Sequence, residues 1–285
     1  MGAEIAWWVW PVALFAVCFL LGIIAVPAGV GGGVLFVPIV AGFFPFHLDF
    51  VRGAGLLVAL SGALAAGPRL LEGGFARLRL ALPLALVAST SSIAGALIGL
   101  ALPVQAVQVA LGLTILGIAA IMAKARNTEF PHVEKPDSLA RALRIHGILR
   151  DPATGREVSW TVHRTPQALV LFAGIGILAG LFGLGAGWAN LPVLNLVMGA
   201  PLKISAGTSS FILSLVDSSA AWIYLNQGAV LPLIAAPSVF GMMLGARIGA
   251  HALGIVKAAT IRRLVLVLLF FAGLRALGKG LGVWT

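Results

Sequence analysis

An all-α protein that crosses a membrane many times, built from two copies of one pattern, is the fold class that this sequence predicts. Three observations carry the prediction. The first is composition: the chain is 60% hydrophobic and 10% charged, with mean hydropathy +1.07, whereas a soluble domain carries about 25% charged residues. The second is the recurrence of apolar runs near the ~20 residues that a membrane-spanning helix requires. The third is an internal repeat. Gly29-Val30-Gly31-Gly32-Gly33 breaks the first apolar stretch, and Gly183-Leu184-Gly185-Ala186-Gly187 breaks a later one. The offset is 154 positions from Gly29 to Gly183, and it persists from Pro38 to Pro192 and from Gly53 to Gly207. Broken helices at matching places in two halves are a pointer to a transporter's binding site.

Taken in order, the chain opens without a basic n-region or a small-residue cleavage site, so Trp7 to Val26 reads as a retained helix with interfacial tryptophans. The first glycine break follows, then a short apolar piece from Val34 to Phe44. Further runs cover Phe50–Ala66, Leu80–Leu102 and, past Pro103, Val104–Ala123. A hydrophilic connector spans 124–165. The second half then gives Ala168–Phe182, Trp188–Met198, Ser205–Leu225, Ala229–Ala250 and Ile261–Leu277. The expected organisation is a first repeat over 1–123, the connector over 124–165 and a second repeat over 166–285. The second run of each half is too short to cross upright, which leaves a half-helix of a re-entrant hairpin or a tilted short span, both open.

Charge placement sets an orientation. Arg69, Arg77 and Arg79 follow the third run, eight Lys and Arg lie in the connector, and Lys203, Lys257, Arg262 and Arg263 fall on the same side by count. The opposite loops have no Lys or Arg, so the positive-inside rule puts the connector in the cytoplasm and both termini outside. Arg275 and Lys279 are the exceptions. Five segments per half is an odd number, so the halves are expected to be inverted relative to each other, as in many secondary transporters.

In the connector, Ser138–Ile145 reads as a short amphipathic helix on the membrane surface. Ile148–His163 reads as a hairpin, with Asp151–Gly155 as its turn and Glu157–Val162 as its return strand. The net charge of +10 is a matter of topology, not of nucleic-acid binding. The scattered histidines His47, His132, His146, His163 and His251 have no metal-ligand spacing, and neither a Walker A nor a GxSxG motif is present. No cofactor is expected. The single Cys18 excludes an intrachain disulfide.

The paired glycine motifs, the prolines that follow them, Ala206-Gly207-Thr208-Ser209-Ser210 and Gly241-Met242-Met243-Leu244-Gly245-Ala246-Arg247 together resemble the sulfite exporter TauE/SafE family, also called the toluene sulfonate uptake permease superfamily. The likeness covers both hydrophobic halves and leaves the connector aside. It implies an inner-membrane carrier of a small sulfur oxyanion or organosulfonate such as sulfite, thiosulfate or sulfoacetate, acting as an exporter. The expected partners are that anion, membrane lipids and a second copy of the chain as a homodimer.

Such an anion is held by backbone N–H groups at helix starts, hydroxyls and at most one cation. Gly31, Gly32, Gly33, Gly185 and Gly187 would supply the first, with no Cβ in the way; close helix packing is the other reading of the same glycines. Gly207, Thr208, Ser209 and Ser210 open the third run of the second half and are the expected hydroxyl lining, ahead of Ser89–Ser92. Asn190 and Asn195 are donor candidates, and Trp188 packs or gates. Arg52 is the candidate cation, against a local pair with Asp49 on one helical turn. Lys203 and Arg247 read first as charges at the inner interface. Asp217, in mid-run, is costly by about 2.5–3.5 kcal/mol on insertion scales, which makes function its default reading and proton coupling its candidate role. A structural carboxyl paired with Arg247 is its alternative. An anion-selective channel or, less readily, a membrane-embedded enzyme or assembly subunit would use the same features.

Overall fold

The computed structural model describes residues 8–28, 31–72, 74–124, 131, 133–150, 157–252 and 258–283. Gly29, Val30, the amino-terminal tryptophan Trp7, the hairpin turn Asp151–Gly155, His132 and Lys257 lie outside them. The first half contains α1 (Val9–Ala28), α2 (Gly32–Phe43), α3 (Leu48–Glu72), α4 (Leu78–Ala101) and α5 (Val104–Lys124). The connector holds α6 (Ser138–Ala142), β1 (His146–Arg150) and β2 (Glu157–Thr161). The second half contains α7 (Thr165–Phe182), α8 (Gly187–Pro192) running into a π-helical turn (Val193–Val197), α9 (Leu202–Asn226), α10 (Pro232–Ala252) and α11 (Ala258–Gly280). Among the described residues, α4, α5, α7 and parts of α3 and α10 are long and apolar enough to cross a membrane. Val170, Leu86, Phe240 and Phe271 are each more than half exposed. So much large apolar side chain facing outward suits lipid, not water. The protein is an all-α, multi-pass membrane protein.

The helices pack through glycine, and the packing reproduces the repeat in space. A Cβ on Gly22 would stand 2.7 Å from the Met242 carbonyl oxygen, and one on Gly176 would overlap that of Ala88. Both members of the second pair are related to those of the first by the same 154 positions. The Gly249–Ile23 and Gly95–Ile177 contacts form a second such pair, and Gly53–Ala229 and Gly207–Phe75 a third. The first helix of each half thus lies on the fourth helix of the other: α1 runs parallel to α10 and α4 parallel to α7. The third helices are antiparallel, with Arg52 of α3 beside Tyr224 of α9 and Phe75 past the end of α3 against Gly207. The fifth helices α5 and α11 are also antiparallel, Gly112 meeting Leu277 and Gly280 meeting Val109.

The second helix of each half is too short to cross upright. α2 has 12 residues, about 18 Å at 1.5 Å per residue, well short of the ~30 Å hydrocarbon core. It starts at Gly31, next to Gly187, and ends where Arg275 donates to the Gly42 carbonyl (2.6 Å) and Lys279 to that of Ala41 (3.2 Å). Arg275 also lies 4.2 Å from the centre of the Phe43 ring. The two exceptions to the charge rule therefore serve as cations at a helix C-terminus. From the same meeting point α8 and its π-helical turn run toward the connector, where the His163 N–H donates to the Met198 carbonyl (3.0 Å).

Two expectations change. The Ser138–Ile145 amphipathic helix is one turn, Ser138–Ala142. Arg144 is left-handed (φ 52°), Ile145 N–H bonds the Ala140 carbonyl and Arg144 N–H that of Arg141, a Schellman ending that stops the helix before β1. The third run, expected over Phe50–Ala66, is helical on to Glu72. The expected pair of strands is present, from His146 opposite Thr161 to Arg150 opposite Glu157, with the first strand starting two residues before the expected Ile148. It touches the membrane part where Arg77 Nη2 donates to the Ile148 carbonyl (3.0 Å).

Asp137 joins the connector to α7. Its carboxylate accepts the Ala140 N–H (2.6 Å) and the Thr165 N–H. Partial burial opposes its charge, but these N–H groups prevail and hold the carboxyl below its usual range. A depressed folded-state pKa means stabilisation that is present above the unfolded value of about 3.9 and is lost as pH falls through the folded one. Asp137→Ala is expected to weaken this junction by about 1 kcal/mol at neutral pH, read as faster hydrogen exchange at the Ala140 and Thr165 amides. The difference from wild type should vanish in acid. Independently, Gly180→Val, whose Cβ would overlap the Ser92 carbonyl oxygen, should lower the melting temperature in detergent, while Gly174→Ala, with open space, should not.

Candidate functional site

The two glycine breaks meet. A Cβ on Gly31 (φ 76°) would lie 3.7 Å from Gly187 Cα and 3.3 Å from Leu213 Cδ1, and one on Gly33 only 2.6 Å from the Leu184 carbonyl oxygen. Gly183 and Gly185 are left-handed, with φ 68° and 72°, so the chain turns twice between α7 and α8 in a way that L side chains resist. Gly55 of α3 leaves room for the Gly183 carbonyl. The glycines therefore serve close packing and at the same time bring non-helical backbone from both halves to one place.

Asp217 faces this place. It is fully buried, 15 residues from the start of α9 and 9 from its end, hence about 22 and 13 Å along the axis. A Cβ on Gly185 would stand 2.9 Å from its Oδ2. The Ala186 N–H faces the carboxylate without hydrogen-bond geometry, and both carboxylate oxygens are buried with no hydrogen-bond partner. Arg247 is an exposed residue of α10, so an Asp217–Arg247 hydrogen bond is not the explanation of the buried carboxyl. Asn190, in the first turns of α8, is likewise fully buried, and neither its Nδ2 nor its Oδ1 has a partner. Trp188 Nε1 is a third buried, unpartnered group on the same short helix. Buried polar groups are nearly always satisfied. Six other described residues, Arg52, Arg77, Trp160, His163, Thr165 and Ser238, also bury an unpartnered polar atom, but only here do three such residues fall on one glycine break and the helix facing it, which makes this the candidate site.

The other candidates lie elsewhere. Arg52 is only 1% exposed. Its Nη2 pairs with Asp49, its Nη1 donates to the Leu181 carbonyl (2.9 Å), and its guanidinium is 5.7 Å from the Tyr224 ring centre. It closes the end of the protein away from the connector, and the local pair with Asp49 is present. Gly207 and Thr208 sit at the opposite end, against the turn between α3 and α4. Phe75 fills the space beside Gly207, and Thr208 Oγ1 accepts the Arg77 N–H (3.2 Å). Ser209 is buried. Ser210 bonds back to the Ala206 carbonyl (3.3 Å) and lines a pocket of about 230 Å³ with Ala63, Leu64, Gly207 and Ser214. Asn195 donates to the Ala200 carbonyl (2.9 Å). In the first half, Thr90 and Ser91 bond carbonyls of their preceding turn, as mid-membrane hydroxyls often do. Ser92 bonds the Ser89 carbonyl and reaches that of Val216 (3.2 Å). Trp188 Nε1 is the donor that sequence reasoning missed as a polar group. Its place one residue into α8, after Gly187, was the available signal.

The chain is 29% identical over 107 residues to the probable membrane transporter protein YunE of Bacillus subtilis (strain 168), a match covering 38% of this chain and 39% of that relative. The chain thus spans about two fifths of the relative's length. No solved structure matches. The family model for the sulfite exporter TauE/SafE matches residues 14–276, nearly the whole of both halves and the connector between them, and the protein belongs to that family.

Proposed function

We propose that the protein is a secondary transporter that carries a small sulfur oxyanion or organosulfonate out of the cell across the inner membrane, with the connector in the cytoplasm and Asp217 as the proton-coupling group. The observation that carries this reading is the set of buried, unpartnered polar groups of Asp217, Asn190 and Trp188 where the two glycine breaks meet. Donors of Asn190 and Trp188, with the N–H groups around Gly31, Gly32, Gly33, Gly185 and Gly187, would hold the anion at membrane depth. Family membership supports transport, and the antiparallel third and fifth helices support halves related by inversion.

A carrier needs a closure on each side of its site. The contact of Gly53 with Ala229, joined by Arg52, Asp49 and Tyr224, would close the outer side. Its counterpart of Gly207 with Phe75, joined by Thr208 and Arg77, would close the inner side. Two distinct closures favour a carrier over a channel, which needs only one gate. Gly207, Thr208, Ser209 and Ser210 then belong to the inner path and not to the central site, and Arg52 to the outer gate.

Binding in detergent is the test. A ligand that binds only the folded protein raises its stability by mass action, so sulfite, thiosulfate, sulfoacetate and taurine are compared with chloride by thermal unfolding. At least one sulfur anion should stabilise the protein, and Asn190→Ala should weaken it about tenfold or more, the loss of a hydrogen bond to a charged partner. Asp217→Asn should keep binding but abolish the response of transport in vesicles to a pH gradient. Stabilisation by none of the anions in a folded protein would sink the proposal.

A further inference from the structure

The central site offers an anion many donors but little positive charge. Its side-chain donors, Asn190 Nδ2 and Trp188 Nε1, are neutral. The start of α2 at Gly32 contributes the partial positive charge of a helix N-terminus, roughly +0.5 at most. Arg52, the buried cation of α3, is paired with Asp49, so the two together are close to neutral, and it lies at the level of Tyr224, seven residues from Asp217 along α9.

Among the described residues of the elements packed against Asp217, no ionisable group is placed nearer along its helix. α3 carries Asp49 and Arg52 toward the outer end and Arg69 and Glu72 in its last turns. α4 carries Arg79 in its first turn. α7, α8 and the π-helical turn have no ionisable residue. α9 itself has Lys203 in its first turn and Tyr224 near its far end, besides Asp217. Against this background Asp217 is a full negative charge whenever it is ionised, directly beside the break that would bind the anion.

We infer that this site accepts singly charged sulfur oxyanions, with Asp217 protonated while they are bound, and discriminates against dianions of the same shape. The inference rests on the anion-transport reading above and narrows its substrate class. Two like charges in a site withdrawn from water do not both ionise, so an anion enters only beside a neutral carboxyl. That carboxyl then turns from competitor to donor, its O–H directed at a sulfonate oxygen. One negative charge spread over three oxygens can be shared among neutral N–H and O–H groups. A second charge would need a counter-cation, and a buried charge without one is strongly disfavoured.

The experiment compares three tetrahedral sulfur anions of similar size on the full-length protein in detergent, at matched ionic strength. Methanesulfonate and sulfamate carry one charge, one with an apolar and one with a polar fourth group; sulfate carries two. Thermal unfolding should show both monoanions stabilising the protein, with sulfate at least tenfold weaker by concentration. Asp217→Asn, which fixes a neutral side chain of the same shape, should still let methanesulfonate stabilise the protein. Sulfate as tight as the monoanions would overturn the inference, as would a folded Asp217→Asn protein that no longer binds methanesulfonate. The comparison of the three anions on the wild type stands if that variant does not fold. Stabilisation by sulfate or thiosulfate, but not by the monoanions, would reject this charge selection and leave the anion-transport reading intact. No response to any sulfur anion would remove both.

Discussion

Backbone that is not helical cannot face lipid, because its N–H and C=O groups would find no partner there. The architecture follows from that constraint applied to the two glycine breaks. The turn at 183–186 is enclosed by α3 and α9, which requires Gly55 to admit the Gly183 carbonyl and Gly185 to lie flat against Ala59 and Asp217. Gly31 meets Gly187 from the other half. Each break is thus enclosed in part by the other half. The crossed packing of α1 on α10 and α7 on α4 holds them in place, at distances that only glycine permits.

The scaffold is duplicated, but its chemistry is not. Contacts between Gly22 and Met242, Gly249 and Ile23, and Gly53 and Ala229 all have partners 154 positions away. The polar residues of the site do not. Position for position, Asp217 corresponds to Ala63, Asn190 to Phe36, Trp188 to Val34, and Arg52 to Ala206. Phe36 is fully buried, so its half contributes shape and apolar surface where the other contributes hydrogen bonds. Repetition gives two closures of similar construction, whose energies can be nearly balanced. The candidate site between them is one-sided, with its polar side chains all from the second half.

Much of this was legible in the sequence because it depends on periodicity and spacing. The glycine breaks, the 154-residue offset, the ten apolar runs and the connector hairpin all survive in the structure. What escaped depends on which distant residues meet. Arg52 looked available for an anion until Leu181, 129 positions later, took one of its nitrogens and Asp49 another. Thr208 looked like lining until Arg77, 131 positions earlier, bonded its hydroxyl. Arg275 and Lys279 broke the charge rule for a reason found over 230 positions away, the carbonyls that end α2. The connector helix was overlong because apolar periodicity carries no signal for a left-handed Arg144.

The same unpartnered groups that mark the site also set a condition on the rest of the molecule. Each buried polar atom without a partner costs about 1–3 kcal/mol, and Asn190, Trp188 and Asp217 together contribute several. A flexible scaffold would relieve that cost by turning the side chains toward one another or by admitting lipid-facing rearrangement. This one is braced by close backbone contacts: Leu184 against Gly33, Arg52 against Gly183, and Ser92 against Gly180. Under the proposed transport function, an anion that supplies the missing partners would gain binding energy only in the closed arrangement. Proline at 38 and at 192 places the softer joints within the two short helices, since each removes a helical N–H.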